Sequence, residues 1–492
     1  MAVKKRILIA ASEVVPFAKT GGLADVIGAL PKELKKLGHD VRVILPYYQM
    51  AKKCKSKITD TGETVIVEIS DKLVQGKIYT STIADVPVYL IGNDSYYDRP
   101  ELYRTSEGDY PDNAERFIFF SKAILEVLKQ QKFQPDIIHC NDWQTGLVPV
   151  LLKVKEKDNP FFANTTTLFT IHNLAYQGLF WHLDMPLTNL PWDVFNPDGI
   201  EFYGKINLMK AGIVFADFLS TVSKKYSQEI QTPEFGCGLE GVLKTRAQDL
   251  YGIINGVDYD VWNPEVDSCI KARFSPKDLS GKKVCREDLL AQFKLKDKEG
   301  TAVIGIISRL TNQKGFDLIA NKIDDIMKLN VILIILGTGD DKYHDLFKKL
   351  AKQYPDKIGV KLGFDNVLAH KIEAGSDFFL MPSNYEPCGL NQMYSMKYGT
   401  IPIVRATGGL DDTVKNYTAK TGKGNGFKFK VYTVDAMMKK IKEALDIFAN
   451  PKDWDTVMKN AMSENFSWMT VAKEYVKLYD TAIEKKRLRL IN

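Results

Sequence analysis

Turns that could bind an anion follow buried strands in both halves of the 492-residue chain. In the first half, the apolar run 7–10 leads through a loop to Lys19-Thr20-Gly21-Gly22 and then to apolar residues at helical spacing. In the second half, the run 303–307 leads to Arg309 and Lys314. Such a turn directs backbone N–H groups outward at the positive end of a helix dipole. Two of them predict two nucleotide-binding-type domains that face one phosphate-bearing ligand.

The second turn carries two different cations. Arginine offers a bidentate fork and lysine a point charge, so Arg309 and Lys314 complement each other as partners for a diphosphate. They follow the carboxyl end of a predicted strand, which is where α/β folds bind ligands. The alternative is that both are surface cations on a loop.

A carboxylate follows another predicted strand at 378–381. Glu386 opens the run Glu386-Pro387-Cys388-Gly389-Leu390, and a carboxylate beside N–H groups can bind sugar hydroxyls and stabilise positive charge at an anomeric carbon. A glutamate that stabilises a helix N-terminus is an equally good explanation. Thr407-Gly408-Gly409 follows the next strand and offers another N–H-rich turn for phosphate.

Two further polar groups stand at strand ends in the first half. His172 follows the run 168–171, although a lone histidine is more often a structural residue. Asp142 precedes Trp143, and an acid beside an aromatic ring suits a sugar, but the start of a capped helix explains the pair equally well. Asp258-Tyr259-Asp260 and Asp453-Trp454-Asp455 have a metal-binding DxD pattern, which we reject because Arg309 and Lys314 can neutralise phosphates. We therefore expect neither a metal nor a cofactor.

Composition limits the class of protein. The length predicts two or three domains, and a net charge of +6 is spread too widely to form a nucleic-acid arm. The six cysteines form no CxxC pair, which argues against a zinc site or a disulfide framework and favours a reducing compartment. The N-terminus leaves no room for a signal peptide, and no apolar run reaches about 18 residues. We expect a soluble, cytoplasmic protein with no membrane or nucleic-acid partner.

Strand-like runs alternate with helical stretches, which predicts an α/β fold with doubly wound parallel sheets. The runs lie at 7–10, 41–45, 86–91, 137–140, 167–171 and 219–222 in the first half, and at 303–307, 331–336, 358–362, 378–381 and 401–404 in the second. An irregular stretch after residue 257 predicts domains at 1–257 and 258–469. Val471, Tyr475, Leu478 and Ala482 form an apolar stripe, so we expect helix 470–492 to pack back on the first domain.

Together these motifs resemble the bacterial glycogen synthase and plant starch synthase family. The resemblance covers nearly the whole chain, and the set in this order is highly specific although each motif is weak alone. The motifs are KTGGLADV at 19–26, TIHNLAYQG at 170–178, TPEFGCG at 232–238, INGVD at 254–258, SRLTNQKGFD at 308–317, EPCGL at 386–390, YGTIP at 398–402 and TGGL at 407–410.

The resemblance implies two Rossmann-like domains facing a deep cleft, the GT-B type, and a retaining transfer of glucose to an α-1,4-glucan acceptor. It assigns Glu386, His172, Asp142, Lys314 and Arg309 to catalysis. It assigns substrate binding to Lys19, Gly21, Gly22, Asp25, Asn255, Phe364, Cys388, Gly389, Leu390, Asn391, Thr407, Gly408 and Gly409. Phe364 falls where the family stacks an aromatic ring on the base.

The chain departs from the family pattern at two places, where Asn384-Tyr385 replaces Arg-Phe and Asn141 replaces a frequent histidine. Many related retaining enzymes have a second glutamate where Tyr394 stands here, as in the synthase family. We expect ADP-glucose as the donor, with UDP-glucose as the alternative. A catalytically silent glucan-binding scaffold on the same fold would have lost the charged set, which is complete here.

Overall fold

The computed structural model describes residues 4–491, which form two compact units. The first unit comprises the residues up to Val222, Ser227–Gly256 and the residues from Trp468 onward; the second comprises Ser223–Tyr226 and Val257–Ser467. No helix in the described part of the chain is long and apolar enough to cross a bilayer.

The first unit is built on a nine-stranded sheet with the order β14-β13-β9-β8-β1-β2-β5-β4-β3. A three-stranded sheet, β10-β12-β11, and the pair β6-β7 lie outside it. The strands are β1 (Arg6–Ala10), β2 (Asp40–Pro46), β3 (Thr59–Ile69), β4 (Lys72–Ile83), β5 (Val86–Gly92), β6 (Arg104–Thr105), β7 (Gly108–Asp109), β8 (Ile137–Asn141), β9 (Thr166–Ile171), β10 (Leu179–Trp181), β11 (Glu201–Phe202), β12 (Lys205–Asn207), β13 (Phe218–Thr221) and β14 (Leu250–Gly252). The helices are α1 (Gly22–Lys36), α2 (Gln49–Lys52), α3 (Asp94–Tyr97), α4 (Asn113–Gln130), α5 (Leu147–Val154), α6 (Leu208–Phe215), α7 (Lys224–Glu229), whose first turn is assigned to the second unit, and α8 (Glu240–Thr245).

The centre of this sheet is parallel and apolar. Strands β8 and β9 are buried along their whole length, as expected for strands covered by helices on both faces. The chain runs from β1 outward to β2, then returns to β8 on the other side of β1. This reversal lies between β1 and β8, so the loops that follow these two strands flank the point where such sheets bind ligands.

The edge of the sheet differs from the prediction. β3 and β4 pair antiparallel with each other, and β4 pairs antiparallel with β5. The predicted sheet did not include this hairpin. Its strands are buried on one face only, with Val65, Val67 and Ile69 inside and exposed neighbours between them.

The second unit is a six-stranded parallel sheet with the order β17-β16-β15-β18-β19-β20. Its strands are β15 (Ala302–Ile307), β16 (Val331–Gly337), β17 (Ile358–Leu362), β18 (Phe378–Met381), β19 (Ile401–Arg405) and β20 (Phe427–Phe429). Its helices are α9 (Ser280–Gln292), α10 (Phe316–Asn321), α11 (Ile323–Lys328), α12 (Asp341–Gln353), α13 (Asn366–Gly375), α14 (Asn391–Lys397), α15 (Gly408–Thr413), α16 (Val434–Phe448) and α17 (Pro451–Met462). The strand order is that of a Rossmann sheet, with its reversal between β15 and β18. Both units are thus Rossmann-like, which confirms the predicted fold class.

The last helix, α18 (Trp468–Ile491), belongs to the first unit and packs on α1 and β9. The predicted stripe, Val471, Tyr475, Leu478 and Ala482, is buried in the same cluster as residues of β1 and α1. Polar contacts add to this packing. The Lys5 ammonium lies 2.6 Å from the Asp480 carboxylate, and the Tyr479 hydroxyl lies 2.9 Å from His139 Nδ1.

Candidate active site

The glycine-rich turn after β1 is organised by Glu13, a residue that the sequence motifs did not single out. Its buried carboxylate accepts hydrogen bonds from the Thr20 N–H at 2.5 Å, the Gly21 N–H at 3.0 Å and the Thr20 hydroxyl at 2.6 Å. The Tyr103 hydroxyl donates to it at 2.9 Å. The predicted role of these two backbone N–H groups was to bind an anionic ligand. In the structure they bond to the carboxylate of Glu13 instead.

Space remains open on the outer side of this turn. A Cβ atom built on Gly21 or Gly22 would meet no atom within 4 Å, so a ligand can approach the backbone there. Lys19 is half-exposed, and its ammonium lies 2.7 Å from Asp25 in the first turn of α1. The structure thus places four of the predicted substrate-binding residues in one turn.

Asp142, directly after β8, has an unusual backbone. Its φ of 57° and ψ of 178° lie in a region that is essentially restricted to glycine, at a cost on the order of 1–3 kcal/mol. Two hydrogen bonds hold Asp142 in this conformation. The Asp142 carboxylate accepts from the His172 N–H at 2.8 Å, and the Asp142 N–H donates to the Thr170 carbonyl at 3.0 Å. Burial raises the pKa of Asp142 to about 7, and Glu13 contributes to this increase.

His172 and Asn141 fix each other's orientation. The Asn141 amide nitrogen donates to the carbonyls of Ala10 and His139, both at 3.1 Å, so its oxygen must face His172 Nε2, which lies 2.9 Å away. Burial lowers the pKa of His172 to about 3, so the ring is neutral at neutral pH. A neutral ring that donates from Nε2 carries its lone pair on Nδ1. Asn141, which departs from the family pattern, therefore selects the His172 tautomer that has its proton on Nε2.

Asn255 is the remaining predicted residue of this unit. It lies after β14 and is almost fully buried, yet its side-chain oxygen has no hydrogen-bond partner in the described part of the chain. A buried acceptor without a partner costs free energy and indicates capacity for a ligand.

In the second unit, the loops after β15 and β18 bring Lys314 and Glu386 together. The ammonium lies 2.5 Å from Glu386 Oε2, and the Ser383 hydroxyl lies 3.3 Å from the same oxygen. Both side chains are mostly buried, with 19% of Lys314 and 9% of Glu386 exposed. The two residues are 72 positions apart in the sequence, so no local motif shows that they pair. Arg309, on the same loop as Lys314, is exposed.

The two loops are also joined through their backbones. The Asn384 N–H donates to the Gln313 carbonyl at 2.8 Å. Gly315 has a φ of 80°, and a Cβ atom there would lie 2.2 Å from the Pro382 carbonyl oxygen. Since Asn384 makes this contact through its backbone, its replacement of the family's arginine leaves the junction intact.

Glycines allow a third loop to reach the Glu386 loop. A Cβ atom on Gly408 would lie 1.9 Å from the Glu386 carbonyl oxygen, and one on Gly409 would lie 2.0 Å from that of Cys388. The Gly409 N–H donates to the Pro387 carbonyl at 3.1 Å. The predicted residues 386–390 and 407–409 are thus one packed unit.

The other predicted residues of this unit have distinct positions. Asn391 begins α14, and its amide donates to the Ile307 carbonyl at 2.9 Å, so this side chain joins α14 to β15. Gly389 has a φ of 70°. Phe364 follows β17 and is 88% exposed, which leaves its ring open for stacking.

Arg405 and Tyr432 support these loops and were missed by sequence reasoning. The buried Arg405 guanidinium donates to the Asn384 carbonyl and lies over the Tyr432 ring at 5.3 Å. The Tyr432 hydroxyl donates to Asp317 at 2.6 Å and lies 3.2 Å from the Asn312 carbonyl oxygen. None of the sequence motifs includes either residue.

One group among the described residues has the side-chain types and proximity for a metal ion: Asp267, Cys269 and His370. The same Asp267 oxygen is already 2.8 Å from His370 Nδ1 and accepts from the Tyr398 hydroxyl at 2.6 Å. Trp262 stacks on His370 with ring centroids 3.8 Å apart. These contacts explain why the three residues lie close together: they belong to the core that holds the connector after residue 257.

Comparison with known proteins agrees with this arrangement. Residues 6–245 match the starch synthase catalytic domain family, and residues 289–460 match the glycosyl transferases group 1 family. A glycogen synthase from Koribacter versatilis is 49% identical over 97% of this chain and 98% of its own length. One from Thermosipho africanus is 47% identical over 98% and 100%. The catalytic domain of starch synthase IV from Arabidopsis thaliana, a solved structure, is 33% identical, covers 98% of this chain and 100% of its own, and superposes with a TM-score of 0.89.

The chain belongs to the starch and glycogen synthase family. It is therefore a glycosyltransferase of GT-B fold, and the family relationship supports glucan synthesis. Among the residues that the resemblance assigned to the site, the first unit supplies a neutral imidazole, a strained carboxyl group and a glycine-rich turn. The second unit supplies two cations and a carboxylate at the reversal point of its sheet. The cations and the carboxylate of the second unit can bind a phosphate and stabilise positive charge on a sugar.

Proposed function

We propose that the protein transfers glucose from ADP-glucose to the non-reducing end of an α-1,4-glucan, with retention of the anomeric configuration. The observation that carries the proposal is the Lys314–Glu386 pair, a mostly buried cation and anion 2.5 Å apart beside the exposed Arg309. The cations suit a diphosphate and the anion suits the positive charge that develops on the sugar ring.

Donor binding would redistribute the charge of this pair. A diphosphate offers Lys314 a second anionic partner, and Arg309 has no competing ion pair in the described residues. As Lys314 turns toward phosphate, the charge on Glu386 is less compensated and gains Coulomb energy with an oxocarbenium-like ring.

The first unit would orient the sugar rather than transfer protons to it. His172 is neutral, and its Nδ1 lone pair can accept a hydrogen bond from a sugar hydroxyl. The Asn255 oxygen can accept another. No strong base is needed, because the departing phosphate can take the proton of the acceptor 4-hydroxyl as that oxygen attacks from the leaving-group side.

We propose ADP-glucose over UDP-glucose as the donor because of the ligands of one relative. The Arabidopsis starch synthase IV domain was solved bound to ADP and acarbose. The exposed Phe364 offers a ring for the base, although an aromatic ring alone does not distinguish purine from pyrimidine. UDP-glucose therefore stays as the alternative donor.

A transfer assay tests the proposal. Radiolabelled ADP-glucose and UDP-glucose are compared on glycogen, and the product is digested with an exo-enzyme that cleaves only α-1,4 bonds from non-reducing ends. We expect a higher kcat/KM with ADP-glucose and release of all the label. A higher kcat/KM with UDP-glucose would overturn the donor assignment, and absence of transfer from either donor would favour a silent scaffold.

A further inference from the structure

An aromatic row that is exposed at Trp181 and Tyr203 and half-buried at Phe202 crosses the small sheet β10-β12-β11 of the first unit. Trp181 of β10 and Phe202 of β11 both pair with Lys205 of the central strand β12. Directly paired residues have their side chains on one face of a sheet, so these three form a row across it. Trp181 is 62% exposed. Tyr203 extends the row, with its ring centroid 4.7 Å from that of Phe202.

Tyr203 is held in a conformation that its residue type disfavours. It has a φ of 48° and Gly204 a φ of 76° in the two-residue turn between β11 and β12. Such turns favour asparagine, aspartate or glycine at the first position, and a bulky residue there is a genuine outlier. The side chain is 84% exposed, so packing does not explain its presence.

The row also offers hydrogen-bond donors. The indole N–H of Trp181, the hydroxyl of Tyr203 and the ammonium of Lys205 have no recorded partner within residues 4–491. Flat apolar rings with polar groups at their edges match a sugar ring, which has an apolar face and hydroxyls around its rim. Trp181 and Phe202 stand two strand spacings apart, about 9–10 Å, which is comparable with the length of a disaccharide.

The sheet that carries the row packs, by its other face, on Trp143, the residue after Asp142. On the other face of the sheet, Phe180 contacts Trp143 with ring centroids 5.7 Å apart, and Trp143 adjoins the strained Asp142. The backbone of Gly178 fits against the same indole, since a Cβ atom there would lie 2.3 Å from it. The strand that carries Trp181 begins six residues after Asn173, the neighbour of His172.

We propose that Trp181, Phe202, Tyr203 and Lys205 form a glucan-binding surface that holds the acceptor chain beyond its reacting end. The inference rests on the proposed function for the identity of the glucan. A second copy of the chain fits the row less well. A stable protein interface needs about 20–30 residues on each side, whereas this sheet has three strands of two or three residues.

Binding to glucan without any donor tests the proposal. Gel retardation by glycogen is compared for the full-length protein, Trp181→Ala, Tyr203→Asn and their double variant. Trp192→Ala, which removes another exposed tryptophan of the same unit, is the matched control. We expect the double variant to bind glycogen about tenfold more weakly, the sum of two ring contacts, and Trp192→Ala to bind as the parent does. Tyr203→Asn should also raise Tm, because asparagine tolerates its backbone better.

Kinetics separate this surface from the catalytic residues. In the double variant the KM for glycogen should rise about tenfold, while the KM for ADP-glucose and the kcat at saturating glycogen stay within about twofold. The KM for maltotriose, a short acceptor that we expect to occupy only the reacting end, should not change. Retardation equal to that of the parent would overturn the proposal. So would a dimer in light scattering that Trp181→Ala converts to monomer. If glycogen retards the parent but no transfer occurs from either donor, the proposed function fails and the surface stands.

Discussion

Asp142 combines a buried carboxyl group with a backbone strain, and these two properties can be measured separately. Burial raises its pKa to about 7, above the ordinary value of 3.8. The folded state therefore holds a proton that the unfolded state has lost between these pH values, so the free energy of unfolding falls as pH rises from about 4 to 7.

Asp142→Asn should remove this dependence. The free energy of unfolding of the variant minus that of the parent should increase from pH 5 to pH 8. Both values are measured by urea denaturation. Glu13 and His172 face Asp142 in both proteins, so their own titration largely cancels in the difference. A difference that does not change with pH would show that Asp142 is ionised at its ordinary pKa.

Asp142→Gly tests the strain. At pH 8 it should be more stable than Asp142→Asn by about 1 kcal/mol, since glycine adopts this backbone freely but has extra freedom in the unfolded chain. We expect both variants to lose activity, since the family resemblance assigns Asp142 to catalysis. Equal stability of the two variants would contradict the assigned strain.

Lys314 and Glu386 should be coupled in stability and in catalysis. Lys314→Ala leaves a buried carboxylate without its cation, which should lower the free energy of unfolding by about 3 kcal/mol, whereas the double variant Lys314→Ala/Glu386→Gln should recover most of it. In Lys314→Ala and in the double variant, the KM for the donor should rise and kcat should fall, since neither protein has the lysine that contacts phosphate. A double-mutant cycle measured by urea unfolding and by initial rates gives both couplings. Additive effects on stability would mean that the two side chains do not pair in solution.

At the level of elements, the loops after β15, β18 and β19 act as one body because backbone groups join them. Arg405 and Tyr432 lie behind this body, with the guanidinium bonded to the Asn384 carbonyl and the tyrosine hydroxyl 3.2 Å from the Asn312 carbonyl oxygen. Their role is to position the loops that carry Lys314 and Glu386.

Arg405→Lys keeps the charge and loses the planar fork, so it should lower kcat/KM by about tenfold, or 1.4 kcal/mol, with little change in Tm. Tyr432→Phe keeps the ring under the guanidinium and should have a smaller effect of the same kind. Arg286→Lys is the control: this arginine bonds to Asp297 and Asp377 away from the loops, so its variant should lose stability and retain kinetics. Parental kinetics in Arg405→Lys would refute the positioning role.

The elements were predicted where burial leaves a clear pattern. Apolar runs marked the central strands of both sheets, since strands covered on both faces are apolar throughout. The β3–β4 hairpin was missed although Val65, Val67 and Ile69 alternate with exposed residues, the usual signal of a half-buried strand.

The site could be predicted only in part. Motifs located the loops, but no pattern shows which acceptor satisfies a given N–H group. Glu13, in the turn after β1, bonds to a residue eight positions along the chain, and Arg405, behind the loops, bonds to one 21 positions away; neither contact follows from a motif. The neutral state and tautomer of His172 likewise follow from burial and from Asn141, neither of which a motif records.

At the scale of the whole molecule, α18 ties the end of the chain to the first unit. A chain that ends at Thr470 would expose the faces of α1 and β9 that Val471, Tyr475 and Leu478 cover. Each fully buried large side chain contributes about 1.5–3 kcal/mol, so the first unit should lose several kcal/mol. Calorimetry and hydrogen exchange should locate the loss there. A chain that ends at Arg487 is the control and should melt as the parent does; equal melting of the Thr470 truncation would refute the packing role.

The kcat of Glu386→Gln tests the central claim most directly. Glutamine keeps the size and hydrogen-bonding reach of Glu386, including an oxygen for Lys314, and removes only the charge. With ADP-glucose and saturating glycogen, we expect kcat to fall by about 10²–10³-fold, or about 3–4 kcal/mol, because the anion acts on charge that exists only in the transition state. Donor KM should stay within a few-fold of the parent value. A kcat close to that of the parent would show that Glu386 only positions the loop, and the electrostatic role assigned to the Lys314–Glu386 pair would be wrong.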